Sequence, residues 1–327
     1  IYVCPGLYNE TVIVDKTLTL NGAGGAPRSR SGDLAREAVV TSAGLWAFEL
    51  RADNVILSGF TVRGLANGPG IYTSPAFSGY LIRGNLIEDN VFGLYLHSSG
   101  AIESVVAHNV FRENNRPGSA SGDGIYSDQG LQNATIERNV FTGHESAAMV
   151  FAGTAQSGLR IRHNRLVDDN SIVVFNASDI EISHNASLRP EGTGILIGGG
   201  VTGATVSHNR IDDGAYRGIV VLNYLGPSGP NSDVVIAHNV VRGNGTQGIE
   251  LSDVTGSRVE RNQVLANGGD GIRLTETATG NVVEGNHMQN NGEFDAHDLS
   301  SGAGTAGTAN TWTRNHCKTD SPDGLCD

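Results

Sequence analysis

Lysine is nearly absent from this chain: Lys16 and Lys318 stand against 20 arginines. Acids outnumber bases 34 to 22, for a formal charge of −12. So acidic a chain is a poor partner for nucleic acid or for an anionic membrane surface. No apolar run approaches the ~18 residues that mark a membrane helix, so no span is expected. Helical periodicity is also missing, since no window keeps its apolar residues at a 3.6-residue period. Cysteine is limited to Cys4, Cys317 and Cys326. The last two bracket a Pro/Gly-containing loop and are expected to form a disulfide, which favours an exported protein, secreted or at the cell surface. Cys4, beside Pro5-Gly6, reads as a small buried hydrophobe. The chain opens at Ile1, already inside a strand, and reads as a mature or trimmed product.

What the chain has in quantity is glycine, 45 of 327 residues, about twice the usual ~7% share, and a repeat. Asn85, Asn109, Asn139, Asn164, Asn185, Asn209, Asn239, Asn262, Asn286 and Asn315 recur at intervals of 21 to 30 residues. That interval belongs to solenoids. Three positions before these asparagines stand Ile82, Val106, Ile136, Ile161, Ile182, Val206, Ile236, Val259, Val283 and Trp312. Two positions after stand Ile87, Phe111, Phe141, Leu166, Ser187, Ile211, Val241, Val264, Met288 and Cys317. Polar residues such as Arg83, Glu137 and Glu260 alternate with them, the period-2 signature of half-buried strands.

A coil of this length cannot bury its own inner face. Stacked coils can, each strand pairing with its copy ~4.8 Å along the axis. The expectation is an all-β, single-stranded, right-handed parallel β-helix of roughly twelve coils. Asn suits the corners because it tolerates left-handed backbone and its amide can bond to stacked copies. The chain is read as one domain over 1–327: first coils and an N-terminal cap loop at 1–50, regular coils at 51–292, and a C-terminal cap with the disulfide loop at 293–327. One short helical segment is expected at 32–37. Insertions fall at 73–79, 112–122 and 223–232, where long loops on a rigid repeat tend to carry function.

The opening coil carries Val3, Pro5, Gly6, Tyr8, Glu10, Val12, Ile13, Lys16, Leu18, Leu20 and Gly22 in a pattern that resembles the pectin-lyase-like superfamily. It is also similar to the periplasmic β-helix accessory proteins of copper-site maturation. Gly248-Ile249-Glu250-Leu251 and Gly271-Ile272-Arg273-Leu274 resemble the superfamily's repeat. The resemblance implies a fold rather than a reaction. Pectate lyases need clustered Asp ligands with paired Arg, and polygalacturonases need an Asn-Thr-Asp and a Gly-His-Gly signature. Neither set is present, and of the esterase pattern only Asp128-Gln129 appears, in reversed order. Asp295-Ala296-His297-Asp298 resembles the Asp-Pro-His-Asp of alginate C5-epimerases but reads as cap chemistry. A histidine column (His108, His163, His184, His208, His238) reads as a corner ladder rather than a metal stripe, and Asp123 and Asp270 read as turn residues. No metal or other cofactor is expected.

A functional cluster should break the repeat's columns, and the outward column of the last strand in each coil does break. It runs Tyr72, Tyr95, Tyr126, Val150, then Val173 or Val174, Leu196, Val220, Glu250 and Arg273; two residues on come His97, Asp128 and Asn176. Stacking places Tyr95 beside Tyr126 and His97 beside Asp128, each pair ~5 Å apart. Tyr95, His97, Tyr126 and Asp128 are the candidate catalytic residues: Asp128 orients His97 as base and a tyrosine serves as acid. Tyr72, Arg116 and Asn176 are the candidate substrate-binding residues, with Arg116 neutralising a substrate carboxylate. These groups suit a polysaccharide lyase or C5-epimerase acting on a uronate-containing glycan. The competing class is a non-catalytic glycan-binding or accessory scaffold. The chain is taken as a monomer. Val150, Leu196, Val220 and Leu222 form an apolar stripe that either the 223–232 loop covers or another chain contacts.

Overall fold

The structure, a computed structural model, describes residues 1–153, 156–223 and 229–327. It divides into two compact units, Ile1–Asp169 and Asn170–Asp327. Helix among the described residues is limited to two single 3₁₀ turns, Pro27–Ser29 and Thr305–Gly307. The helical segment expected at 32–37 is instead a turn. There the Glu37 carboxylate accepts the Ser31 and Gly32 N–H groups and so pins the loop.

In the first unit each coil contributes one short strand to each of three parallel sheets. One coil shows the plan: Leu81–Arg83, Leu86–Glu88 and Phe92–Tyr95. Leu57, Ile82, Val106 and Ile136 stack in register in the first sheet, and Val62, Ile87, Phe111 and Phe141 in the second. All are buried. The Phe111 and Phe141 rings stack at 4.9 Å. The second unit repeats the plan, with Val206, Ile236, Val259, Val283 and Trp312 in one inward column. β-Branched side chains fill these columns because each must pack on its copy above and below.

The corner asparagines are buried, and each side chain bonds along the stack. Asn109 Nδ2 donates to Asn139 Oδ1 (3.1 Å) and to Ile82 O (2.9 Å), while Asn139 Oδ1 also accepts the Asn109 backbone N–H (2.9 Å). The left-handed backbone, however, is not carried by Asn. It falls on the residue before: Gly84, His108, Arg138, His163, His184, His208, His238, Arg261, Gly285 and Arg314 all have positive φ. The amide is needed inside for its donors and acceptor, and the bend is made one residue earlier, where the side chain faces outward. That explains the histidine column: His208 stacks on His184 at 4.8 Å and on His238 at 5.0 Å. A second corner column runs Asn90, Asn114, His144, Asp169, with His144 Nδ1 2.7 Å from Asp169 Oδ2.

At the C-terminal end of the second unit Asp298 accepts the Trp312 indole N–H (2.7 Å) and the Ser300 hydroxyl (2.6 Å). Cys317 and Cys326 form the expected disulfide. Cys4 is exposed rather than buried, because it sits at a bend of the first coil, between the Tyr2–Val3 and Gly6–Asn9 strands. In the apolar stripe, register aligns Val173, Leu196 and Val220, and Val174 points inward. Val220 is buried, and Leu196 and Leu222 are half-buried. Of the loop at 223–232, residues 224–228 lie outside the described residues.

Candidate aromatic cleft

The third sheet of the first unit presents Glu49, Tyr72, Tyr95, Tyr126 and Val150 in register on its outward side. Loops entering its successive strands rise around this column. They enclose a cleft of about 300 Å³ whose lining includes Trp46, Pro69, Phe92, Tyr95, Tyr126 and Asp128. Ser119 and Ala120, from the insertion at 112–122, form part of the wall. Gly68 closes another part, where a Cβ would lie 2.3 Å from the Leu45 carbonyl oxygen, so only glycine lets these loops meet.

At the cleft surface Asp128 gathers two tyrosine hydroxyls. Tyr95 donates to Oδ1 at 2.6 Å and Tyr126 to Oδ2 at 3.4 Å, while Gln129 donates to the Tyr95 oxygen at 2.8 Å. Burial, and then the Asp128 carboxylate, push the Tyr95 hydroxyl well above the usual phenol range; Tyr126 is raised for the same reasons. Both phenols are therefore proton donors at neutral pH. Phe92 meets both tyrosine rings edge-on, at 5.5 Å and 5.9 Å. The Asp128 side chain is 38% exposed.

The sequence pairing of Tyr95 with Tyr126 is the observed register. His97 does lie near Asp128, with Nε2 3.7 Å from Oδ1, but it is not outward. Its strand ends at Tyr95, strict alternation stops there, and Leu96, His97 and Ser98 all turn inside. The His97 ring is fully buried beneath Tyr95, ring centroids 4.2 Å apart. Nδ1 lies 3.0 Å from the Thr73 carbonyl, which fixes the proton on that nitrogen, and Nε2 has no hydrogen-bond partner. Burial lowers its pKa, with Thr73 and Asp128 opposing. His97 is a buried support behind Tyr95 and Asp128 and does not itself line the cleft.

The three expected binding residues are not among the residues that line the cleft. Tyr72 lies under the Trp46 ring, stacked at 4.7 Å and 17°, so Trp46 faces the cleft in its place. Arg116 is held by Asp89 through Nε–Oδ1 (2.9 Å) and Nη2–Oδ2 (2.7 Å), among Arg63, Glu88 and Glu113. Its planar fork matches that carboxylate. Asn176 belongs to the second unit and makes a left-handed corner (φ 51°).

Trp46 is the residue missed by the column reading, because it comes from the loop of a preceding coil. Its indole N–H donates to Glu49 (3.1 Å), which also accepts Arg51 Nε (2.6 Å). Asp123, read as a turn residue, opens the strand beneath Tyr126 and is 3% exposed, its carboxyl pushed up to about 6 by burial. Asp270, in the second unit, is likewise buried and accepts from Phe294 N–H (3.1 Å), with His297 Nδ1 at 3.0 Å. Among the described residues no group of three or more His, Cys, Asp or Glu is placed to hold a metal ion.

A family model described as "Right handed beta helix region" matches residues 21–185 and 150–321. No curated protein matches the sequence. Among solved structures, the catalytic unit of a thermostable GH87 alpha-1,3-glucanase from Streptomyces thermodiastaticus strain HF3-3 is similar with a TM-score of 0.63 at 16% identity. That likeness covers 98% of this chain and 64% of the glucanase unit. The Dettilon tailspike protein gives 0.64 at 16% identity, over 96% of this chain and 60% of its own. The alginate lyase from Paenibacillus sp. str. FPU-7 gives 0.55 at 13%, over 73% and 86%. At these identities the likeness is one of fold, and the chain spans under two thirds of the first two.

Proposed function

The chain belongs to the right-handed β-helix family, and from that premise we propose that it is an extracytoplasmic carbohydrate-active protein that holds a glycan in the Trp46–Tyr95–Tyr126 cleft. One observation carries the reading. An aromatic-walled cleft closes around a single carboxylate, Asp128, which is partly exposed and fixed by two tyrosine hydroxyls. Sugars offer apolar C–H faces for the rings and hydroxyl donors for such a carboxylate. The Cys317–Cys326 disulfide agrees with residence in an oxidising compartment.

The test is titration of the full chain with a panel of oligosaccharides, read by tryptophan emission and calorimetry. Trp46→Ala and Tyr126→Ala are expected to weaken binding about tenfold or more with the far-ultraviolet circular dichroism unchanged. Binding that survives both substitutions places the ligand elsewhere.

A second reading, proton abstraction by a lyase or C5-epimerase, is favoured by the 2.6 Å Tyr95–Asp128 pair, a protonated donor against a carboxylate acceptor. It predicts an unsaturated-uronate absorbance from a uronate polymer, or C5 inversion, that is lost in Asp128→Asn. Turnover absent across the uronate panel, with glycan binding intact, leaves the binding module.

A further inference from the structure

The side chains around the cleft carry one charge, and it is negative. Asp128 is the only ionisable acid or base, tyrosines aside, among the described lining residues. The nearby cations are already committed. Arg51 is paired with Glu49, Nε to Oε1 at 2.6 Å, and Arg116 is bound through two contacts to Asp89. His97 lies behind the Tyr95 ring with its proton on Thr73 O and presents no donor to the cleft. Burial lowers its pKa.

Among the described residues no Arg or Lys pairs with Asp128; the buried His97 holds Nε2 3.7 Å from Oδ1 without a hydrogen bond, and the carboxylate accepts from the Tyr95 and Tyr126 phenols. A ligand group arriving there must be a donor. A hydroxyl or an ammonium satisfies the carboxylate. A second carboxylate meets a like charge beside aromatic walls, where the interaction is poorly screened. It also finds both tyrosine hydroxyls already spent on Asp128, so seating it would break those bonds or leave it unpaired.

We infer that the cleft selects glycans free of acidic groups, and that Asp128 is the residue that sets this specificity by accepting a sugar hydroxyl or amine and refusing uronates. This rests on the first glycan reading of the cleft, which it narrows to a substrate class, and it excludes the uronate lyase or epimerase reading. Discrimination by a carboxylate is stronger than discrimination by size, because an acidic ligand group meets a like charge there and finds no donor.

The experiment uses the full chain and three oligosaccharide sets of matched length: neutral glucans, glucosamine oligomers and uronate oligomers. Neutral and amine-bearing members are expected to bind, with uronates weaker by about tenfold or more. Asp128→Asn is expected to bring the uronate-to-neutral ratio within about threefold, and Asp128→Glu to preserve the gap. Uronates binding as tightly as neutral glycans in the parent chain overturn the inference while leaving the glycan reading standing. An unchanged ratio in Asp128→Asn overturns the role of Asp128. Failure of all three sets to bind overturns the glycan reading and this inference with it.

Discussion

At the residue scale, burial decides what the titratable groups beneath the cleft do. His97 and Asp123 are both ionisable, both inside, and both shifted by burial toward the form that carries no charge. Asp123 shows the consequence for stability. Its carboxyl stands at about 6, against an ordinary 3.8, because desolvation outweighs the Ser146 hydroxyl and the nearby His144. A raised acid binds more protons folded than unfolded between those values, so its contribution to stability falls as pH rises from about 4 to about 6. Above that window the folded chain carries a buried charge at a cost of about 3 kcal/mol. Asp123→Asn is expected to remove this slope and to raise the urea midpoint at pH 8 by the equivalent of about 1–3 kcal/mol. Denaturation curves from pH 4 to pH 8 check it; an unchanged profile means that Asp123 is ionised at no cost.

At the scale of the element, the corner asparagines are what the columns rest on. Replacing Asn139 by Ala removes the acceptor for the Asn109 backbone N–H and side-chain amide and the donor to Val106 O. Each orphaned buried group costs roughly 1–3 kcal/mol, and two or three are orphaned together. Asn139→Ala is expected to lose about 3–5 kcal/mol, measured by chemical denaturation. A loss below about 1 kcal/mol would mean that water fills the corner.

This column was legible in the sequence because a buried amide leaves one residue type recurring every 21 to 30 residues, from Asn85 to Asn315. The inward Ile and Val columns were legible for the same reason. What could not be read lies where the repeat lapses. Trp46 reaches Tyr72 from a loop whose length follows no period, so no column contains it. His97 lies two residues beyond the end of its strand at Tyr95, and alternation says nothing once the chain leaves the ladder. Arg116 lies within the cleft insertion, which in sequence suggests a cleft role, whereas its side chain is settled by Asp89, which no spacing rule brings to it. The Tyr95–Tyr126 pair was found because both residues lie within strands, where register alone places them.

At the scale of the whole molecule, the sign of the charge and the absence of a free cation in the cleft point the same way. The chain carries −12, and many of its surface arginines are consumed in ladders with acids, as in Arg162–Glu137–Arg138 and Arg210–Asp212–Arg242. Such a field repels polyanions at long range and does nothing to a neutral sugar chain. Screening shortens from ~30 Å at 0.01 M salt to ~3 Å at 1 M, so the two contributions separate with ionic strength. Affinity for a neutral oligosaccharide is expected to change by less than about twofold across that range, since no ion pair forms and no counterion is released. Residual uronate binding should strengthen severalfold as salt screens the repulsion, yet stay below the neutral ligand, because the contact with Asp128 lies inside any screening length. Calorimetric titration at low and high salt reads both slopes. A neutral ligand that weakens steeply with salt, or a uronate that does, reveals an attractive ionic contact, and the cleft then cannot be a site that refuses acidic glycans.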